Sequence, residues 1–349
     1  MRKKKVLDKS IIDNSLKDEK PMQNQPIIKE IKLPWIEKYR PTTFEDIFLE
    51  PFIKEKINKI LESKSIPNMI ITGVSSCGKT STILFLAKQL YDEAMFEEYV
   101  LELNASDDRG LSIINNTILP FCKKKINDNV KKLIILDEAD SITTKAQNLL
   151  SNIIAEYRKN TRFVFICNDC SQIIESIQSR CMIIKYTRLS KVNLYNKIEI
   201  ICNLEKITYD EEGINSLLFL SDYDIRQAIN NLECIYHSEY DLNTESLYKL
   251  IDHPKPIYIE NILNEIINKQ LKNAIQIVKK LYFKGYTPND ILLTFMKCLI
   301  ENQIKCDMDQ ELILKIYEII SLSYIRINGG MDTLLQLCGC IAKIYLYLN

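Results

Sequence analysis

Between residues 68 and 186, short apolar runs alternate with stretches in which apolar residues recur every three or four positions. The runs are "NMIIT" at 68–72, "YVLELN" at 99–104, "KLIILDE" at 132–138, "RFVFICN" at 162–168 and "CMIIKY" at 181–186. They are short and nearly continuous, which predicts strands of a parallel sheet covered on both faces. The covering helices are expected in "GKTSTILFLAKQL" after the first strand, from about Leu111 to Cys122, and from about Thr143 to Tyr157. From residue 189 onward only the three-and-four spacing remains, so no further strand is predicted. "DHPKP" at 252–256 breaks this helical half in two, because proline lacks the N–H a helix needs and crowds the preceding turn. The pattern divides the chain into an α/β core over 33–188, a small helical domain over 189–252 and a C-terminal helical domain over 253–349. Residues 1–32 are polar and aperiodic and read as a disordered tail; order is expected to begin at "LPWIEKYRP".

Composition narrows the class. The 349 residues carry 46 basic and 46 acidic side chains. A formal charge of zero excludes a protein held on nucleic acid or membrane by bulk charge alone, though a local basic face is compatible with it. Eleven cysteines are scattered along the chain. No apolar leader segment stands at the start and no run approaches a bilayer span, so a reducing compartment, cytosol or nucleus, is expected and a membrane is not. "RKKK" at Arg2 to Lys5 reads either as a nuclear-import signal or as a solvated basic tail.

Two motifs carry chemistry. "GVSSCGKT", Gly73 to Thr80, has the phosphate-loop spacing and sits between an expected strand and an expected helix. Gly73 and Gly78 allow the backbone to turn and approach phosphate. The N–H groups of Val74, Ser75, Ser76, Cys77 and the residues up to Ser81 can face the anion at a helix start. Lys79 is placed to reach the β- and γ-phosphates, and the Thr80 hydroxyl to ligate Mg²⁺. In "LIILDEAD", four apolar residues end in Asp137 and Glu138, which puts two carboxylates at the carboxyl edge of a buried strand, where ligands bind in open α/β sheets. Asp137 is suited to hold Mg²⁺ through water, and Glu138 to orient and polarise an attacking water. "CNDC", with Cys167 and Cys170, lacks the second pair of ligands a zinc site requires and reads as two packed thiols. Cys77, beside Lys79 at a helix start, is expected to favour the thiolate.

Together with "WIEKYRP", "LELNASDDRG", "QSRC" and "DIRQAINNL", these motifs make the chain resemble a small subunit of replication factor C, the clamp loader of the AAA+ ATPases. The resemblance runs from about Leu33 to Lys343, and among small subunits it is greatest to the type numbered 2 in animals. It implies an AAA+ P-loop core with a parallel sheet, a small helical lid domain and a C-terminal helical collar for oligomerisation. It further implies a hetero-pentamer with other replication factor C subunits, a PCNA-type sliding clamp, primer–template DNA gripped by its backbone, ATP with Mg²⁺, and the nucleus.

By the same resemblance Asn168 senses the γ-phosphate and Arg226 is laid on the nucleotide by the lid. Arg180 is an arginine finger acting in trans on the neighbour's ATP. Ile36 and Phe48 fall where relatives line the adenine pocket, although core packing would explain them equally well. Arg109 begins a helix expected to face the DNA channel, and the helix near Leu111 to Phe121 is expected to meet the clamp. The lysines of "FCKKKINDNVKK" could add phosphate contacts or simply be solvated.

The sequence departs from the family at four positions. Ser151, Asn152 and Asn115 replace common arginines, and Ser76 stands where glycine is usual. If Ser76 has φ > 0, serine costs about 1–2 kcal/mol there, an expected five- to thirty-fold loss of affinity. Two other functions stay open: a subunit that binds nucleotide without hydrolysing it, and an unrelated phosphate-loop enzyme such as a helicase or small-molecule kinase.

Overall fold

The computed structural model describes residues 33–41, 43–44, 46–106, 110–124, 130–238, 240–301 and 310–349. The tail at 1–32, Arg109 and the middle of "FCKKKINDNVKK" lie outside these residues. Residues Trp35–Asn349 form one compact unit.

The five expected strands form one sheet: β1 (Met69–Gly73), β2 (Val100–Asn104), β3 (Lys132–Asp137), β4 (Thr161–Cys167) and β5 (Met182–Tyr186). Their order is β2-β3-β4-β1-β5, and every neighbouring pair is parallel. Register is set by alternation. Ile70 lies opposite Phe165 on β4 and Ile183 on β5. Ile70, Ile134, Phe163 and Phe165 are packed on one face with Ile114, Ile118, Leu150 and Ile154 from the helical stretches 111–123 and 144–156. Met69, Ile71, Leu133, Ile135, Val164 and Ile166 face the other way, onto Ile53, Ile57, Ile83 and Leu86 from helices Pro51–Ser63 and Lys79–Leu90. Both faces are therefore dry, which is why the strands read as continuous apolar runs.

The helix expected near Leu111 to Cys122 forms with an interruption: Leu111–Ile113 is α-helical, Ile114–Ile118 is a π-turn and Leu119–Lys123 is α-helical again. The wide turn lies just ahead of Pro120, whose ring would clash with a carbonyl of the preceding turn in a regular helix. Its end is closed by Lys132, which is almost fully buried and donates from Nζ to the carbonyls of Phe121, Cys122 and Lys124.

Beyond β5 the described residues form helices, with one isolated bridge between Tyr209 and Leu242. Ser190, Asp210, Asp224, Asn243, Thr287 and Thr333 each cap a helix by accepting from a backbone N–H of its first turn. The break at "DHPKP" falls between helices Thr244–Leu250 and Pro256–Ile267. One hydrophobic cluster nevertheless runs across it, from Leu194 through Leu232 to Ile259, Phe295 and Ile344.

Trp35 belongs to this helical core, although the sequence pattern assigns it to the α/β part. The short helix Trp35–Lys38 packs on helix Ile225–His237: the indole is 5% exposed and lies 5.0 Å from the Tyr236 ring. The Trp35 backbone N–H donates to Glu233 Oε2 at 3.2 Å, and Lys38 and Tyr39 both donate to Glu205. Trp35→Ala, which removes a buried ring, is expected to cost about 3–5 kcal/mol. The loss should appear as a lowered denaturant midpoint in unfolding followed by circular dichroism.

Candidate active site

Three strand ends and one helix start build a cleft at the carboxyl edge of the sheet. β1 delivers the loop 73–78, β3 delivers Asp137 and Glu138, β4 delivers Asn168, and helix Ile225–His237 contributes Arg226 from its first turn. The cavity encloses about 520 Å³, within the usual range for a small-ligand site.

Gly73 has φ 155°, and a Cβ there would stand 2.5 Å from the Tyr186 carbonyl oxygen on β5, so only glycine fits between the strands. Gly78 has φ 87° and caps helix Lys79–Leu90, where an L-residue would be strained. Lys79 opens that helix, is 8% exposed, and folds its side chain back into the loop. Its Nζ donates to the carbonyls of Gly73 at 2.7 Å and Val74 at 2.8 Å, and to Asn168 Oδ1 at 2.9 Å.

The acidic side of the cleft is equally ordered. Thr80 Oγ1 donates to Asp137 Oδ2 at 2.8 Å, and Asp137 Oδ1 accepts from the Glu138 N–H at 2.9 Å. Glu138 has φ 52° and an exposed carboxylate that lines the cavity. A non-glycine residue in this conformation is concentrated at functional sites because the surroundings must enforce it. The hydroxyl of Thr80 and the carboxylate of Asp137 are hard oxygen donors facing one cleft, a donor set that fits Mg²⁺. Asp140, three residues beyond Asp137, accepts from the Asn168 N–H at 3.1 Å and so fixes the end of β4.

The structure brings together Ile36, Phe48, Ser75, Ser76, Cys77, Gly78, Lys79, Thr80, Ser81, Asp137, Glu138, Asn168 and Arg226 around this cavity. Gly73 and Val74 meet it through the carbonyls that hold Lys79. Arg180 is not among the lining residues; it is exposed, and its guanidinium donates to the Ser176 carbonyl. Pattern reading missed part of the apolar end, where Ile47, Leu189, Ile225 and Ile229 join Ile36 and Phe48. These residues look like ordinary core positions in sequence. It also missed Asp224, which caps helix Ile225–His237 and accepts from Ser75 Oγ at 3.2 Å; its place just before "IRQ" was the available signal.

The expectation for Cys77 is overturned, and the condition set for Ser76 is met. Cys77 is buried and its Sγ donates to the Val74 carbonyl at 3.0 Å. Burial pushes its thiol above the ordinary value and outweighs the pull of Lys79 in the other direction, so the helix start does not favour a thiolate. Ser76 does have positive φ, at 61°. That is the condition under which serine is strained relative to glycine.

Residues 69–189 match the ATPase family associated with various cellular activities (AAA), and residues 254–343 match the replication factor C C-terminal domain. The chain is 37% identical over 313 residues to replication factor C subunit 2 of Arabidopsis thaliana, covering 89% of this chain and 92% of that one. It is 36% identical to replication factor C subunit 4 of Saccharomyces cerevisiae, covering 90% and 96%.

The chain belongs to the replication factor C family.

Human replication factor C subunit 5 is also 36% identical, over 92% of this chain and 94% of its own. In fold, the Thermotoga maritima RuvB Holliday junction branch migration motor superposes with a TM-score of 0.50 at 15% identity, covering 66% of this chain and 79% of that one. The chain thus has the AAA+ core and helical C-terminal domain of a replication factor C subunit.

The Cys77 geometry makes a direct prediction. With its pKa raised, the thiolate fraction at pH 7 is smaller than that of a free cysteine, and alkylation in the folded chain should be slow. It should quicken on unfolding, and mass spectrometry of the peptide carrying "GVSSCGK" measures both rates.

Proposed function

We propose that this subunit binds ATP with Mg²⁺ and hydrolyses it within a hetero-pentameric ring of replication factor C subunits. In this reading the ATP-bound ring opens a PCNA-type sliding clamp, and hydrolysis releases the clamp closed on primer–template DNA. The supporting observation is the convergence of Lys79, Thr80, Asp137, Glu138, Asn168 and Arg226 on one cleft, while Arg180 stands outside it. A buried ammonium facing neutral acceptors is matched by the triphosphate's negative charge. Glu138, free in the cleft, is the group that orients and polarises water towards the γ-phosphate. Bound Mg²⁺ supplies charge neutralisation at the phosphates; Thr80 and Asp137 would hold it. The apolar end formed by Ile36, Phe48 and Ile225 suits an adenine ring.

Arg180 supplies its guanidinium to the adjacent subunit's triphosphate, which makes hydrolysis depend on assembly. Head-to-tail contacts between similar subunits give rings of this kind. DNA is held by backbone contacts shared around the ring, with Arg109 as this chain's contribution. The helix near Leu111 to Phe121 is assigned to the clamp. The work of such a machine places the chain in the nucleus. We also propose that the three-part division at residues 188 and 252 corresponds to core, lid and collar.

The alternative is a subunit that holds nucleotide for shape alone. Glu138 favours hydrolysis, because such a site has no use for an exposed carboxylate beside the phosphates. Glu138→Gln in the reconstituted ring is expected to retain ATP binding and to slow single-turnover hydrolysis at this site by about 10²–10⁴-fold. Unchanged turnover, with the other subunits' sites silenced, would favour the shape-holding role.

A further inference from the structure

The turn 221–224, between helices Glu211–Leu220 and Ile225–His237, is strained. Asp222 has φ 54° and Tyr223 φ 57°, the only adjacent pair of non-glycine residues with positive φ among the described residues. A side chain as bulky as tyrosine is rare in this region, because its Cβ crowds the following carbonyl. Such a conformation persists only where the surroundings enforce it. The next residue, Asp224, accepts from the N–H groups of Arg226 at 2.8 Å and Gln227 at 3.4 Å, and from Ser75 Oγ at 3.2 Å. The strained pair therefore leads straight into the helical turn that brings Arg226 to the cleft.

The groups that hold the pair come from elsewhere in the helical half. The Tyr223 hydroxyl donates to Glu301 Oε2 at 2.6 Å and accepts from Lys191 Nζ at 2.9 Å, and the same ammonium stands 4.3 Å from the centre of the tyrosine ring. Asp222 pairs with Lys297 at 2.5 Å. Lys297 and Glu301 lie at the carboxyl end of helix Pro288–Ile300, within the residues that match the replication factor C C-terminal domain. The Glu301 side chain is only 17% exposed, so its bond to the hydroxyl is charge-assisted and poorly screened by solvent.

We propose that Tyr223 is a positioning residue for Arg226. Its hydroxyl, fixed on Glu301 and Lys191, holds the left-handed turn in place, and the turn sets the first residues of helix Ile225–His237. The inference rests on the reading of the cleft as a nucleotide site and adds to it a mechanical link from helix Pro288–Ile300. The tyrosine ring also packs on the helical core, but phenylalanine would pack there as well. Only the hydroxyl reaches Glu301.

The test compares full-length chains carrying Tyr223→Phe, Tyr223→Ala or Tyr223→Gly, each alone and combined with Arg226→Ala. Equilibrium binding of Mg²⁺–ATP is measured, with thermal unfolding to show that each variant is folded. Tyr223→Phe and Tyr223→Ala are expected to bind about three- to tenfold more weakly. Tyr223→Gly should lose less affinity than Tyr223→Ala, because glycine adopts the positive φ without strain; a role in packing alone would give no such rescue. All three losses should vanish when Arg226 is already alanine. Wild-type affinity in Tyr223→Phe, or a loss that persists undiminished beside Arg226→Ala, overturns the inference and leaves the nucleotide reading intact. A folded wild-type chain that binds no Mg²⁺–ATP overturns that reading and this inference with it.

Discussion

A nearly buried ammonium with no carboxylate beside it organises the cleft. Lys79 forms no ion pair among the described residues and is held by two loop carbonyls and the Asn168 amide oxygen. Removing a charge from water is costly unless it is paired. Neutral dipoles meet part of that cost, and the remainder is a standing preference for an anion. Because the acceptors come from both the β1 loop and the end of β4, the same side chain also joins the two strand ends that shape the site.

The carboxylates occupy the other side of this arrangement. Asp137 is engaged by Thr80 and by the next backbone N–H, whereas Glu138 is turned outward by its left-handed backbone. Adjacent residues at one strand end thus have different surroundings, one bonded and one free. That difference is what a metal ligand and a water-orienting base require.

The cleft is also tied to the helical half. Trp35 and its neighbours dock on helices Lys191–Glu205 and Ile225–His237 while Ile36 lines the cleft, and Ser75 reaches the cap of helix Ile225–His237, from which Arg226 enters. A change in the loop 73–78 therefore has a short physical route to that helix. The continuous core from Leu194 to Ile344 carries the helices on either side of "DHPKP" as one packed body.

The sequence by itself determined the local chemistry. Apolar runs marked all five strands, because a sheet covered on both faces needs apolar side chains at nearly every position. Invariant local geometry made the phosphate loop and "LDEAD" legible, since a phosphate-binding turn and an acidic strand end are each encoded within a few residues. Only the tertiary structure decided where Trp35 packs, which apolar residues close the cleft around Ile36 and Phe48, and that Asp224 receives Ser75. Those contacts join residues as much as 198 positions apart, and no local pattern records which distant surfaces meet. It also reversed the expectation for Cys77. A helix start and a nearby lysine are visible in sequence, but the burial that outweighs them exists only once the chain is folded.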